Sequence, residues 1–209
     1  GGSISASGVH GFEFLNDTLI VNDVDIKQRA GTAYGRFFNN KLTGNLTIET
    51  DVNNSNYPTT IRSSEIIGNA TFKHNDISNF DVADLANTSV SITGNVSIVG
   101  ASKSSVFTLG NLSPVTIGGN LGISMADGKS FGGFYRGGSV GGNFSYTQTS
   151  TGYNYFGDLG YTTNISGKVD ISINNSSGGW FHVYRLINQT SGGSISASGV
   201  HGFEFLNDT

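Results

Sequence analysis

The sequence predicts an all-β protein wound as a coil of short, stacked turns. Three observations predict it. A five-residue motif returns every 20 to 26 residues along the 209-residue chain. Inside each motif apolar and polar residues alternate with the period of a strand. No stretch carries the 3.6-residue period of a helix.

In chain order the motif reads GSISA (Gly2–Ala6), NDVDI (Asn22–Ile26), GNLTI (Gly44–Ile48) and GNATF (Gly68–Phe72). It continues as GNVSI (Gly94–Ile98), GNLGI (Gly119–Ile123), GNFSY (Gly142–Tyr146) and GKVDI (Gly167–Ile171). Its third position is Ile4, Val24, Leu46, Ala70, Val96, Leu121, Phe144 and Val169, and its fifth runs from Ala6 and Ile26 to Tyr146 and Ile171. Between them lie small or polar residues such as Thr47, Thr71 and Ser97, so one face of each strand is buried and the other is not. Two residues before each motif stands a second apolar column: Ile20, Leu42, Ile66, Ile92, Ile117, Val140 and Ile165. A third apolar stretch recurs in mid-unit, as FEF (Phe12–Phe14), FDV (Phe80–Val82), YNY (Tyr153–Tyr155) and FHV (Phe181–Val183). Each unit therefore holds about three short strands separated by Gly, Asn and Ser turns. One such unit cannot bury its own apolar face, but a stack of them can, pairing in parallel about 4.8 Å apart. Stacking would place Lys27, Glu49 and Lys73 above one another, with alternating charge worth roughly 0.2–1 kcal/mol per pair.

A longer repeat is superposed on the short one. Residues Gly1–Thr18 return unchanged as Gly192–Thr209, and the ninth motif, GSISA at Gly193–Ala197, falls on the restart. Residues 1–191 thus read as one unit of about eight turns, and residues 192–209 as the start of an identical one. The second GSISA is expected to stack on GKVDI. The terminal residues do not read as caps, so the expected setting is a longer tandem array or a filament.

Composition narrows the function. With 31 Gly, only 2 Pro and 12% charged residues, the chain is unusual, but its 14 Phe and 8 Tyr supply a core that a disordered chain lacks. A net charge of −4 with 11 Lys+Arg gives no basic footprint for nucleic acid or an anionic membrane. No apolar run is long enough for a membrane span. The absence of cysteine removes disulfides and thiolate metal sites and leaves the compartment open.

These motifs, G-N-Φ-T-Φ above all, resemble the parallel β-helix, as in pectin-lyase-like proteins and the repetitive shafts of bacterial adhesins. The resemblance covers the whole chain as a pattern. It implies a right-handed parallel β-helix with three short strands per turn, because left-handed hexapeptide coils have shorter, stricter periods. A β-propeller blade needs four strands and about 40 residues, which this unit does not supply.

Asparagine carries two readings. Asn45, Asn69, Asn95, Asn120 and Asn143 follow the motif glycine, and stacking would make them a ladder of hydrogen-bonded amides. Four of the five also head an Asn-x-Ser/Thr sequon, but glycans one turn apart would crowd, so the ladder is the expected role. Outside the motif, sequons begin at Asn16, Asn53, Asn87, Asn111, Asn164, Asn174, Asn175 and Asn188, with Asn207 as the copy of Asn16. Thirteen are present where about five are expected from 22 Asn and this Ser and Thr content. They are possible N-glycosylation sites and point outside the cell, with loop positions such as Asn53, Asn111 and Asn188 preferred.

Catalytic chemistry finds little support. Enzymes of the resembling families use clustered Asp, with calcium and a basic residue, or paired Asp. Here Asp23 and Asp25 form the only close carboxylate pair on a motif strand and read as a solvated acidic edge. Asp81 with Asp84, and Asp170, lie elsewhere. His10, His74 and His182 are scattered and read as surface or turn histidines. Trp180, Tyr184, Tyr135 and Tyr161 are candidates to stack on sugars, against the simpler role of filling the core or a corner. The Gly-rich FGGFYRGGS and GNLGIS lack the strand–loop–helix setting of a phosphate cradle. No catalytic, cofactor or metal residue is assigned. The expected function is an extracellular filament, sheath or adhesin shaft whose partners are copies of itself, with surface glycans as a further candidate. The alternative is a carbohydrate-active enzyme or a glycan-binding module on the same fold.

Overall fold

The computed structural model describes residues 2–29, 34–51, 58–75, 79–100, 105–126, 129–149, 154–174, 180–199 and 202–206. The described residues form a β-solenoid of 26 strands in three parallel sheets of nine, nine and eight strands, with no helix. The first sheet runs from Ile4–Val9 through Asp23–Arg29, Asn45–Asp51, Ala70–His74, Val96–Gly100, Leu121–Met125, Phe144–Gln148 and Val169–Asn174 to Ser194–Ser198. The second runs from Phe12–Leu15 to Gly202–Leu206, and the third from Thr18–Leu19 to Leu186–Asn188. Each strand pairs with its counterparts in the adjacent turns, the first and last strand of each sheet on one side only, so the described residues make eight complete three-strand turns and two strands of the next.

The motif columns are the register of the first sheet. Ile4, Val24, Leu46, Ala70, Val96, Leu121, Phe144 and Val169 follow one another, as do Ala6, Ile26, Ile48 and Phe72 through to Ile171. Leu46, Ile48, Val96 and Ile98 are buried, while Asn45 and Ser97 are exposed and Thr47 is half-exposed. A slip of one residue would exchange those faces, so burying these side chains, at about 1.5–3 kcal/mol each, also fixes the pairing. Opposite them, inner residues of the second sheet pack as an aromatic column. Phe80 and Phe107 stack at 4.9 Å, Phe131 and Phe156 meet at 5.1 Å, and Phe156 and Phe181 at 5.7 Å.

The corner from the second to the third sheet repeats a backbone device that no residue type announces. One residue per turn adopts a left-handed conformation just past the second strand: Asn16, Asn39, Ser63, Ala83, Gly110, Phe134, Gly157 and Arg185. Their N–H groups donate to carbonyls of adjacent turns, as Asn39 does to Arg62 and Phe134 to Leu109. Only two of the eight are glycine, so the others carry strain that the stacked turns hold in place.

Several expectations are corrected. Leu19, not Ile20, heads the third-sheet column, because Lys41 N–H donates to Asp17 O and Thr43 N–H to Leu19 O, which sets Leu19 opposite Leu42. Ile20 is 76% exposed at the corner. In the stretch read as YNY, Tyr153 lies outside the described residues. The inward pair is Asn154 and Phe156, and Tyr155 faces out. The second GSISA pairs two residues away from the expected register: Ile195 lies opposite Ile171 and Ala197 opposite Ile173. Lys168 has no side-chain oxygen to accept the next turn's N–H, whereas Asp170 Oδ1 accepts Ser194 N–H at 3.0 Å and its hydroxyl at 2.9 Å. Moving by two keeps the apolar face inward.

Candidate functional site: stacked columns and the junction between units

The outermost corner of the first sheet is a continuous asparagine column. Asn45 Oδ1 accepts the main-chain N–H of Asn69 at 2.9 Å, and Asn69 serves Asn95 at 2.8 Å. Asn95 serves Asn120 at 2.8 Å, Asn120 serves Asn143 at 2.7 Å, and Asn143 serves Lys168 at 2.9 Å. Side-chain amides link some of the steps, with Asn69 Nδ2 donating to Asn45 Oδ1 and Asn120 Nδ2 to Asn95 Oδ1. At the lower end Asn45 Nδ2 donates to Asp23 Oδ1 at 2.9 Å. The glycine before each asparagine is fixed by the same geometry. A Cβ on Gly94 would lie 2.5 Å from Gly68 O and 2.6 Å from Asn69 Oδ1, and one on Gly142 would lie 2.4 Å from Asn120 Oδ1. The motif is thus one device: the glycine makes room and the asparagine supplies the acceptor.

Next to it the charged column departs from its simplest form. Lys27, Glu49 and Lys73 share a register, but Arg29 makes the close contact to Glu49, 2.6 Å from Nη2, and bonds Asp51 at 3.1 Å. Lys73 stands 3.9 Å from Glu49. Glu49 beside it, with Asp51, raises the Arg29 guanidinium above its ordinary value.

The carboxylates do not gather at one place, and Asp23 and Asp84 have structural partners. Asp23 Oδ1 accepts from Asn45 as the first member of the ladder, and Asp25 lies in register with Ser5 and Thr47. Asp84 is clamped by Arg62 through two bonds of 2.6 Å, with the guanidinium 4.7 Å over the Phe38 ring. Asp81, two strands from Arg36 in the second-sheet outer column, is raised to about 6 by burial, against the hydrogen bond from Thr108 and the charge of Arg62, while Asp84 adds to the rise. Among the described residues no group of three or more His, Asp or Glu converges as metal ligands. No helix among them is long and apolar enough to cross a membrane.

Two histidines are not the surface groups that were expected. His74 is buried as the last residue of the strand Ala70–His74, with Phe80 and Phe107 edge-on to its ring. It belongs to an inner column, Gln28, Thr50 and His74, followed by Gly100, Met125 and Gln148. The buried Tyr146 hydroxyl lies against Gln148 Oε1 at 2.9 Å and against Asn154 Oδ1, and burial holds that phenol well above its ordinary value. A second interior ladder ties the other corner: Asn40 Oδ1 accepts Asp17 N–H, Asn40 Nδ2 donates to Phe14 O, and Ser64 Oγ accepts Asn40 N–H. Polar residues at apolar-periodic positions, Gln28 and His74 among them, were the signal available in the sequence.

His182 faces out but is only 8% exposed, because Tyr155 stacks on it at 4.5 Å with planes 4° apart and Trp180 lies 5.6 Å away at 14°. Tyr135 lies 6.4 Å from Tyr155, and burial pushes its phenol up to about 12. The aromatic rings of this face therefore stack chiefly on one another. Trp180 remains 42% exposed, and Tyr161 stands at a different corner under the Arg136 guanidinium, 4.7 Å from its ring centre. The Gly-rich segment at 131–139 forms another corner, where Tyr135 covers Gly132.

Of the sequon asparagines outside the ladder, Asn16, Asn87, Asn164 and Asn174 are exposed, while Asn111 and Asn188 are half-buried. Asn16 Oδ1 accepts from Asn39 Nδ2 at 3.0 Å. Asn53, Asn175 and Asn207 lie outside the described residues.

The copied segment occupies two places. As residues 4–15 it lies against residues 23–38, and as residues 194–206 it lies on residues 170–184. In the second sheet the register is Glu13 opposite Arg36 and His182 opposite Glu204. Glu13 Oε1 accepts from Arg36 Nη1 at 2.7 Å. Glu204 Oε2 accepts from the Tyr184 hydroxyl at 2.6 Å and lies 3.1 Å from His182 Nδ1, and these two bonds lower the Glu204 carboxyl. Burial raises the Tyr184 phenol to about 12, with the Glu204 bond and charge adding to it.

No family model, curated protein or solved structure matches this chain.

Proposed function

We propose that this chain is a structural segment of an extracellular filament, sheath or adhesin shaft that lengthens by stacking solenoid turns along one axis. One observation carries the reading. The same eighteen-residue sequence fits beneath residues 23–38 and on top of residues 170–184, so its two edges match the two ends of the 191-residue unit. Columns of hydrogen bonds and side chains running from turn to turn suit a load-bearing rod, and the self-stacked aromatic face gives a structural use to rings that otherwise suggest sugar binding. The sequon excess, with exposed acceptors at Asn16, Asn87, Asn164 and Asn174, supports a surface location and glycosylation. Surface extracts of the native source, labelled with antibody to this chain and imaged by electron microscopy, test the reading. Label along filaments or a surface layer supports it; label confined to the cell interior contradicts it.

A further inference from the structure

The geometry points to a single carboxylate as the key of the joint between successive 191-residue units: Glu13 of each unit gripped from below by His182 and Tyr184 of the unit before and from above by its own Arg36. The inference rests on the tandem-stacking reading and adds the chemistry of the joint. Each half of the grip is present separately in this chain. Glu204, the copy of Glu13, meets His182 and Tyr184, and Glu13 meets Arg36. Each half engages a single carboxylate oxygen, one of Glu204 shared by His182 and Tyr184 and one of Glu13 taken by Arg36 Nη1, and a carboxylate has two, so one group has an oxygen for each side. Their registers are continuous, because His182 lies opposite Glu204 and Glu13 lies opposite Arg36 in the same outer column of the second sheet.

A second residue of the copied segment is shaped for the same seat. A Cβ on Gly202 would lie 2.7 Å from the Trp180 ring, so that position must be glycine where it covers Trp180. Its copy, Gly11, immediately precedes the strand Phe12–Leu15, which the strand Gly35–Phe38 covers. The partner that fits the upper edge of residues 202–206 is therefore the stretch that covers residues 12–15 here, the Gly35–Phe38 strand of a further unit. Arg36 in that strand would arrive already held over the Tyr34 ring, 4.3 Å from its centre.

The test uses the full chain extended after Thr209 by residues 19–191, so that Glu204 becomes Glu13 of a second unit. Amide hydrogen exchange is read at residues 180–184 and at the second unit's counterpart of residues 35–38, in the parent chain, in Glu204→Gln and in Glu13→Gln. The expected result is an elongated particle in which Glu204→Gln speeds exchange about two- to fivefold on both sides of the joint. Glu13→Gln, at the first turn, should speed it only at the first unit's residues 35–38. His182→Ala provides a second route to the same joint and should also speed exchange in the second unit's counterpart of residues 35–38. A continuous rod in which Glu204→Gln changes only residues 180–184 overturns the shared key and leaves the stacking reading standing. Two separate compact lobes overturn both.

Discussion

The side-chain oxygen of Asn95 accepts the main-chain N–H of Asn120 from 2.8 Å, one turn away. The bond takes a donor that the strand ladder does not reach, and the same bond recurs at each asparagine of the column. Asn95→Ala should leave that N–H without its protein partner and cost about 1–2 kcal/mol. Asn95→Asp keeps the oxygen and should cost less than half as much. Denaturant unfolding of the two variants checks the difference, and equal losses would show that the acceptor is not what matters.

Gly94 and Gly160 make a matched pair. The Cβ of Gly94→Ala would meet Gly68 O at 2.5 Å, whereas that of Gly160→Ala meets nothing within 4 Å. Gly94→Ala should destabilise by more than about 2 kcal/mol through backbone displacement. Gly160→Ala should be neutral or stabilise by up to about 1 kcal/mol through the unfolded chain. Thermal unfolding of both variants decides it.

Asp81 gives the fold a pH dependence. Burial raises its carboxyl from 3.8 to about 6, so between those values the folded chain keeps a proton that the unfolded chain has released. Stability contributed by this group is full below about pH 4 and declines as pH rises to about 6. Asp81→Asn should remove that decline and stabilise the protein at pH 7 by about 2 kcal/mol. Unfolding free energies at pH 4 and pH 7 measure it; a variant whose slope between them equals the parent's would contradict the assignment.

Ser63 holds a φ of 47° at the second corner. Ser63→Gly relieves left-handed strain at some cost in chain entropy and should stabilise by about 0.5–1 kcal/mol. Chemical denaturation is sufficient to detect it.

What could be read from the sequence follows from which side of the chain does the work. The first sheet was legible because both its inward residues, such as Leu46 and Ile48, and its outward ladder, such as Asn95, depend on side-chain type, which repeats. The second corner was not legible, because left-handed backbone is met there by Asn39, Ala83, Phe134 and Arg185 alike, and those residues share a conformation but no chemistry. Ile20 and Leu19 are equally apolar, so only the hydrogen bonds around Lys41 and Thr43 could choose between them. The register of Ser194 turned on Asp170 replacing an asparagine two residues along, a substitution that periodicity does not register. His74 and Gln148 sit at inward positions whose polarity argued for the surface, and packing and neighbouring polar groups overrode it.

The central claim is that 191-residue units add end to end along one axis, and small-angle X-ray scattering on the two-unit chain tests it most directly. Just over seven further turns at about 4.8 Å should lengthen the particle by about 35 Å relative to the 209-residue chain, with the cross-section unchanged. A two-unit chain that scatters as a compact globule, or that thickens without lengthening, would contradict the account.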